Sequence, residues 1–361
     1  MRIELEKRPE RSATMAWASP LIAVLATVVT GGLIFAAIGK PPLTALWIFF
    51  LEPFSSLWSL EELVVKATPL ILIGVGLSVA YRANVWNIGA EGQFTFGALM
   101  GAIVPIFFNS WQSPLTLVAM LALGVLGGMI WAAIPALLKI KAGANEILVS
   151  LMLVYVAQLL LDWLVRGPWR DPKGYNFPKS VGFEDWQTMP VFGGGRLNLG
   201  IVLALVAAAA LAILMRRTMK GFEVRVLGEA PRAGRFAGFS SDRMTLFVFL
   251  LSGGLAGLAG IVEVASTVGQ LQPNISPGYG FTAIIVAFLG RLDPIGVVVA
   301  ALMLAVSYLG GEAAQVALGI SDKAARVFQG VLLFWVLACD TLIYYRLRIV
   351  RTAPVAEEGA R

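Results

Sequence analysis

Apolar residues run along this chain in blocks of helical length, separated by short polar connections. The blocks fall near residues 16–38, 63–80, 87–108, 115–138, 146–165, 199–215, 245–266, 278–290, 295–310 and 326–345. Met15 to Ile38 carries no charge. At 1.5 Å of rise per residue that stretch reaches roughly 36 Å, enough to cross a hydrocarbon core of ~30 Å. It is also longer than the apolar core of a signal peptide, so it predicts a retained first span. The pattern predicts an all-α, polytopic integral membrane protein with about ten transmembrane helices.

Two places break the greasy pattern. RANVWNIGAEGQF, Arg82 to Phe94, sets Asn84, Asn87, Glu91 and Gln93 between long apolar blocks, with Gly89 and Gly92 permitting close backbone approach. Polar groups of this kind are costly against lipid, so they are expected to face the bundle interior or a cavity. They either line a solute path or gate, or cap helix ends and tie neighbouring spans together. GRLDPIG, Gly290 to Gly296, separates two short windows. Asp293 suits a helix cap and Pro294 a first helical turn, which predicts a helix–turn–helix corner at the membrane face. Interrupted segments at comparable places in two halves suggest an inverted internal repeat.

An even number of spans puts both termini on one side, and the basic residues choose it. Nineteen of the 28 Lys and Arg fall in the tails and connections on the side of the termini, which predicts cytoplasmic N and C termini. The expected division is a tail at 1–15, a transmembrane domain at 16–345 and a tail at 346–361, with a cytoplasmic loop at 216–244 and an outer loop at 166–198. Within the cytoplasmic loop, Pro231 suits the start of a short helix, Ala233, Phe236 and Ala237 give it a small apolar side, and Gly238 can end it. That helix is either a docking surface for a soluble partner or part of a solvated basic loop.

Composition narrows the chemistry. At 58% hydrophobic, 14% charged and a mean hydropathy of +0.80, the chain is far greasier than a soluble domain. Histidine is absent, which removes the usual general base, and the single cysteine, Cys339, can form neither an internal disulfide nor a zinc cluster. No phosphate-cradling G-x-x-x-x-G-K-[ST] occurs, so any energy from ATP must come from another subunit. No catalytic residue, metal site or cofactor is expected. The tract SGGLAGLAGIVEVAS spaces Gly253, Gly257 and Gly260 for close helix packing, with Glu263 expected to snorkel at its outer end. Asp162 and Asp340, also near span ends, are read in the same structural way.

From about Ala45 to Tyr345 the chain resembles permease subunits of ATP-binding-cassette importers in the branched-chain amino acid and simple-sugar superfamily, nucleoside-uptake branch. NVWNIGAEGQF at 84–94 is similar to the branch signature N-x-x-N-I-G-x-E-G-Q. GYGFTAIIVAFLGRLDPIG at 278–296 is similar to G-x-G-F-x-x-I-x-V-A-x-L-G-x-x-x-P-x-G. The cytoplasmic loop resembles the family's coupling helix, matching at Thr218, Gly221, Arg225, Gly228, Pro231, Ala233, Ala237 and Gly238 and departing at Val226, Ala230, Gly234 and Phe239.

The resemblance implies an inner-membrane permease that imports nucleosides, with simple sugars the alternative solute. Its expected partners are a cytoplasmic ABC ATPase subunit, a second permease chain in a heterodimer, and a periplasmic or lipid-anchored substrate-binding protein; no nucleic acid is involved. The coupling residues it implies are Gly228, Glu229, Pro231, Ala233, Phe236, Ala237 and Gly238. An ion-coupled secondary transporter would share the interrupted helices but needs central carboxylates that these spans rarely offer. A membrane enzyme, without histidine or paired carboxylates, ranks last.

Overall fold

The computed structural model describes residues 2–7, 13–108 and 110–350; the rest of the expected tails, at 1, 8–12 and 351–361, lies outside the described residues. The chain divides into two compact units, Met1–Glu52 with Gly310–Arg361, and Pro53–Leu309. All ten apolar windows fall on helices. Seven helices among the described residues are long and apolar enough to cross a membrane.

In the first unit, α1 (Ala13–Ala37) packs against α13 (Asp322–Tyr344), and α2 (Pro42–Leu51) packs on α1. Its core joins Phe35, Phe49 and Phe328, with the Phe49 and Phe328 ring centroids 4.2 Å apart. Hydropathy alone missed α2, whose ten residues are too few for a span; Pro42 starts it, and Pro53 sits in the short turn Glu52–Phe54 that ends it. The inner parts of the two expected tails are also not free. Strand β1 (Arg2–Lys7) pairs antiparallel with β2 (Tyr345–Val350), with Arg2 opposite Val350 and Lys7 opposite Tyr345.

The second unit is built on α3 (Leu57–Arg82), buried almost without interruption from Leu70 to Tyr81. Against it pack α7 (Leu199–Arg217), α10 (Ser241–Glu263) and α11 (Tyr279–Leu289). The helices α4 (Ala90–Phe107) and α5 (Leu115–Ala142) form a tight trio with α10, and α6 (Glu146–Arg166) lies on α4. Glycines make the trio possible. A Cβ on Gly257 would run into the Gly124 carbonyl and the Gly128 backbone, and one on Gly128 would run into the Gly253 carbonyl.

Backbone atoms cannot be moved aside as a flexible side chain can. Gly257→Leu is therefore expected to cost at least about 3 kcal/mol and remove the monodisperse peak on size-exclusion chromatography in detergent. Gly254→Ala, whose new methyl would meet only the Met129 and Val125 side chains, is expected to cost under about 1 kcal/mol.

α11 has eleven residues and reaches only about 16 Å, half a membrane. The GRLDPIG corner after it forms as expected: Arg291 and Leu292 take left-handed φ of 56° and 55°, and the Gly296 N–H donates to Asp293 at 3.3 Å. The next helix, α12 (Pro294–Leu318), is longer than its apolar window, because Glu312–Leu318 is rich in helix formers and carries it on. Before α11, α10 passes through one π turn at Val264–Val268 and an irregular stretch to Gly278. The loop 167–198 is strapped to that stretch by backbone bonds. Ser180 N–H donates to Leu271 O at 2.9 Å, Phe183 N–H to Gly269 O at 2.8 Å and Met189 N–H to Ala265 O at 2.9 Å.

Candidate functional site

The polar break is a non-helical link between α3 and α4. Asn84 turns the chain with a φ of 56°, a left-handed conformation that asparagine tolerates better than most residues, and its side chain accepts the Trp86 indole N–H at 3.1 Å. Asn87 and Gln93 form a reciprocal amide pair, each donating to the other at 2.9 Å. Asn87 also donates to Ser252 Oγ at 2.9 Å and accepts from Gly89 N–H at 3.1 Å. Both amides are sealed from solvent, and Asn87 spends its full donor and acceptor capacity. Their work in this arrangement is to hold the break shut. Gly89 and Gly92 let it press on α6, where any Cβ would crowd Ser150 or the Val154 backbone.

Glu91 does something different. Its carboxylate accepts the Gly280 N–H at 2.6 Å and is hydrogen-bonded to the Ser276 hydroxyl. Ser276 Oγ in turn accepts from the Gly278 and Tyr279 N–H groups, each at 3.0 Å. A carboxylate from the first half thus closes the N-terminus of the half-membrane helix α11 in the second, where orphan N–H groups and the helix dipole favour negative charge. Gly280 is required by this approach, since a Cβ there would overlap the Glu91 backbone.

On its other side Glu91 borders a cavity of about 460 Å³, together with Thr95 of α4, residues of α6 including Gln158 and Asp162, and the 273–276 stretch. Of the four polar residues singled out in the break, only Glu91 lines it. Asp162, read from sequence as an isolated span-end acid, is held by Arg166 at 2.8 Å at the cavity edge. Glu263 does not snorkel. It is buried at 6% exposure, with Ile261, Val262, Val264 and Ala265 beside it in the chain also buried, so the end of α10 lies inside the bundle rather than at its surface. The side chain of Asp340 lies outside the described residues.

At the basic end of the unit, residues 216–244 are more ordered than a solvated loop. Thr218 caps α8 (Met219–Glu229) through Gly221 N–H at 3.2 Å, and Gly221, Val224 and Leu227 bury one face of it. The expected short helix comes next as α9 (Pro231–Phe236), ended by Ala237 and by Gly238 at a φ of 85°. Glu229, Ala233 and Ala237 are exposed, and the Phe236 ring is 93% exposed. Gly228 lies so close to the Arg82 carbonyl that no Cβ would fit, which seats α8 on the start of the polar break. A second cavity of about 250 Å³ there is lined by Asn84, Leu227 and Pro231.

The same end is fastened by Arg216 to Asp293 at 3.0 Å. Burial pushes the Asp293 carboxyl up, but the Arg216 guanidinium and the N–H groups of Gly296 and Ile295 outweigh it and hold the group below the ordinary carboxylate range. At the opposite end Arg196 bonds Glu62 at 2.8 Å and stacks 5.8 Å from the Trp58 ring, tying the long loop to α3.

Sequence reasoning did not find Ser252, Ser276 or Gly280 as partners of the break. Ser252 stood out only as a hydroxyl inside a glycine-rich apolar helix, and nothing local linked Gly280 to a residue 189 positions away.

The family described as "Branched-chain amino acid transport system / permease component" matches residues 59–337. The chain is 36% identical to the glucose ABC transporter permease protein of Haloferax volcanii, over 97% of this chain and 95% of that one. It is 28% identical to the guanosine ABC transporter permease protein of Bacillus subtilis, covering 88% and 92%. With the nucleoside ABC transporter permease protein of Lactococcus lactis the identity is 27%, covering 88% and 89%. The chain belongs to the branched-chain amino acid transport system permease family, and is a multi-pass membrane permease of an ABC importer rather than an enzyme.

Proposed function

We propose that this permease admits nucleosides across the inner membrane, paired with a second permease chain and with both termini in the cytoplasm. A periplasmic or lipid-anchored binding protein delivers the solute at the end carrying loop 167–198. A cytoplasmic ATPase engages α9. ATP binding draws the ATPases together and displaces α9, and the displacement passes through Gly228 to Arg82 and along the break to Glu91. There it alters how α11 is held and so shifts the bundle between two access states.

The observation that carries this reading is the continuity of that route. One link, residues 83–89, has α8, which leads directly into the exposed α9, packed at its start through Gly228, and the capped half-helix beside the cavity at its end. Its Asn87–Gln93 lock makes the link stiff enough to transmit a push. The preponderance of basic residues at the α9 end supports its cytoplasmic placement.

The relatives named for guanosine and nucleoside transport support a nucleoside solute. A second reading, a hexose or other simple sugar, is favoured by the 36% identity to the glucose permease. Both readings share an uncharged, hydroxylated ring.

The test is uptake of labelled guanosine, uridine, ribose and glucose into proteoliposomes holding this chain with its permease, ATPase and binding-protein partners. ATP-dependent accumulation of a nucleoside is the expected result. Accumulation of sugar alone would replace the solute and keep the mechanism. Uptake on an ion gradient without ATP would overturn the ATP-driven mechanism for this assembly.

A further inference from the structure

Gln158 stands in the middle of a membrane helix, exposed, with its amide bonded to no described residue. It lies twelve residues from the start of α6 and eight from its end, roughly 18 Å and 12 Å along the axis. A lipid-facing amide at that depth would leave its donors and acceptors unsatisfied, so the position calls for water or a polar ligand. The cavity beside Glu91 supplies the space. Tyr155, one turn earlier on the same face, lines it with a 55% exposed ring and a free hydroxyl, and Asn274 lines it from the stretch before α11 with its side-chain amide also unspent.

The charged groups around this cavity are already matched. Asp162 is held by Arg166, and Glu91 by the Gly280 N–H and the Ser276 hydroxyl. What remains available is neutral: two amides, each able to donate and accept, and a phenol. That set suits adjacent hydroxyls on a ring and offers no unmatched charge to a charged solute. At about 460 Å³ the cavity lies within the roughly 300–1,000 Å³ of small-molecule sites.

We infer that Gln158, Tyr155 and Asn274 form a solute-contacting station of the translocation path, which hydrogen-bonds the hydroxyls of an uncharged ring solute. The inference rests on the importer reading and deepens it by naming residues outside the polar break. A nucleoside's ribose and a hexose present the same hydroxyl chemistry, and the experiment separates them.

The chain has one cysteine, so Cys339→Ala gives a background in which single thiols can be placed. Gln158→Cys, Asn274→Cys and, as comparator, Val156→Cys are reconstituted in the full importer and treated with a membrane-impermeant cationic methanethiosulfonate. Val156 is 49% exposed on α6 but does not line the cavity. Thiols at 158 and 274 are expected to react at least about tenfold faster than at 156. Guanosine or glucose, whichever is the solute, is expected to slow both reactions. Reaction at 158 no faster than at 156 would overturn the station, and so would fast reaction that neither solute slows.

If Gln158→Cys fails to assemble, Gln158→Leu is measured instead. Loss of ATP-driven uptake with ATP hydrolysis retained is expected, and unchanged uptake would overturn the proposal. The thiol-reactivity readouts do not depend on ATP-driven uptake, and the uptake of the unsubstituted chain is measured alongside Gln158→Leu, so failure of the importer reading is seen separately.

Discussion

Glu91→Leu is expected to lower ATP-driven uptake at least about tenfold while the assembled complex still purifies intact. The substitution leaves the Gly280 N–H and the Ser276 hydroxyl without their acceptor in a buried setting, at about 1–3 kcal/mol for each unsatisfied group. That sum is large beside the few kcal/mol that separate two access states, so the balance between them is lost before the fold is. Glu91→Gln keeps an oxygen for Gly280 and gives up only the charge at the helix terminus, about 0.3–2 kcal/mol, so a fall of a few-fold is expected. Gly280→Ala should reproduce the leucine phenotype from the other side of the contact, because its methyl would overlap the Glu91 backbone. Initial rates in proteoliposomes decide the matter, and full uptake by Glu91→Leu would remove the contact from the mechanism.

The second large effect is expected at α9. Phe236→Ala should weaken ATPase binding by at least about 2 kcal/mol, some thirtyfold, since a fully exposed aromatic ring on a short helix has the form of an interface anchor. Ala233→Arg and Gly238→Trp should abolish co-purification of the ATPase, the first by placing a long charged chain on the small face, the second by burdening a left-handed glycine. None of the three packs in the interior, so membrane insertion and detergent behaviour should be those of the unsubstituted chain. Normal ATPase retention by all three would move the docking site elsewhere.

These two contacts show where the sequence was readable. Length and hydropathy located the apolar helices, because those properties are summed over many residues and survive local irregularity, although only seven of the described helices are long and apolar enough to cross a membrane. Pro231 marked the start of α9 because its ring fixes φ, and Gly238 marked the end because glycine takes a left-handed φ without strain. The polarity of Asn84, Asn87, Glu91 and Gln93 marked a break.

What the sequence did not carry was the division of labour among those four. It depends on which partner each meets, and Ser252 and Gly280 lie 165 and 189 residues away. What the helical face of α6 borders was equally hidden. The i, i+3, i+7 spacing of Tyr155, Gln158 and Asp162 puts them on one face, but nothing in the sequence showed that this face borders a cavity. The two-stranded pairing of β1 with β2 joins six-residue segments at opposite ends of the chain, and nothing local to either names its partner.

Between loop 167–198 and the 265–271 stretch the strap is made mainly of main-chain amides and carbonyls, which every residue except proline brings in the same form, joined by the Ser180 hydroxyl, which accepts the Leu271 N–H at 2.9 Å. Attachment and surface are therefore separable. Asp185, exposed between two strap points, and Tyr175 and Phe177 beyond them, can be rewritten without loosening the main-chain bonds at Ser180, Phe183 and Met189. Such a loop is interchangeable in character: the surface offered to the proposed delivery protein can be redrawn while the main-chain frame beneath it keeps its bonds.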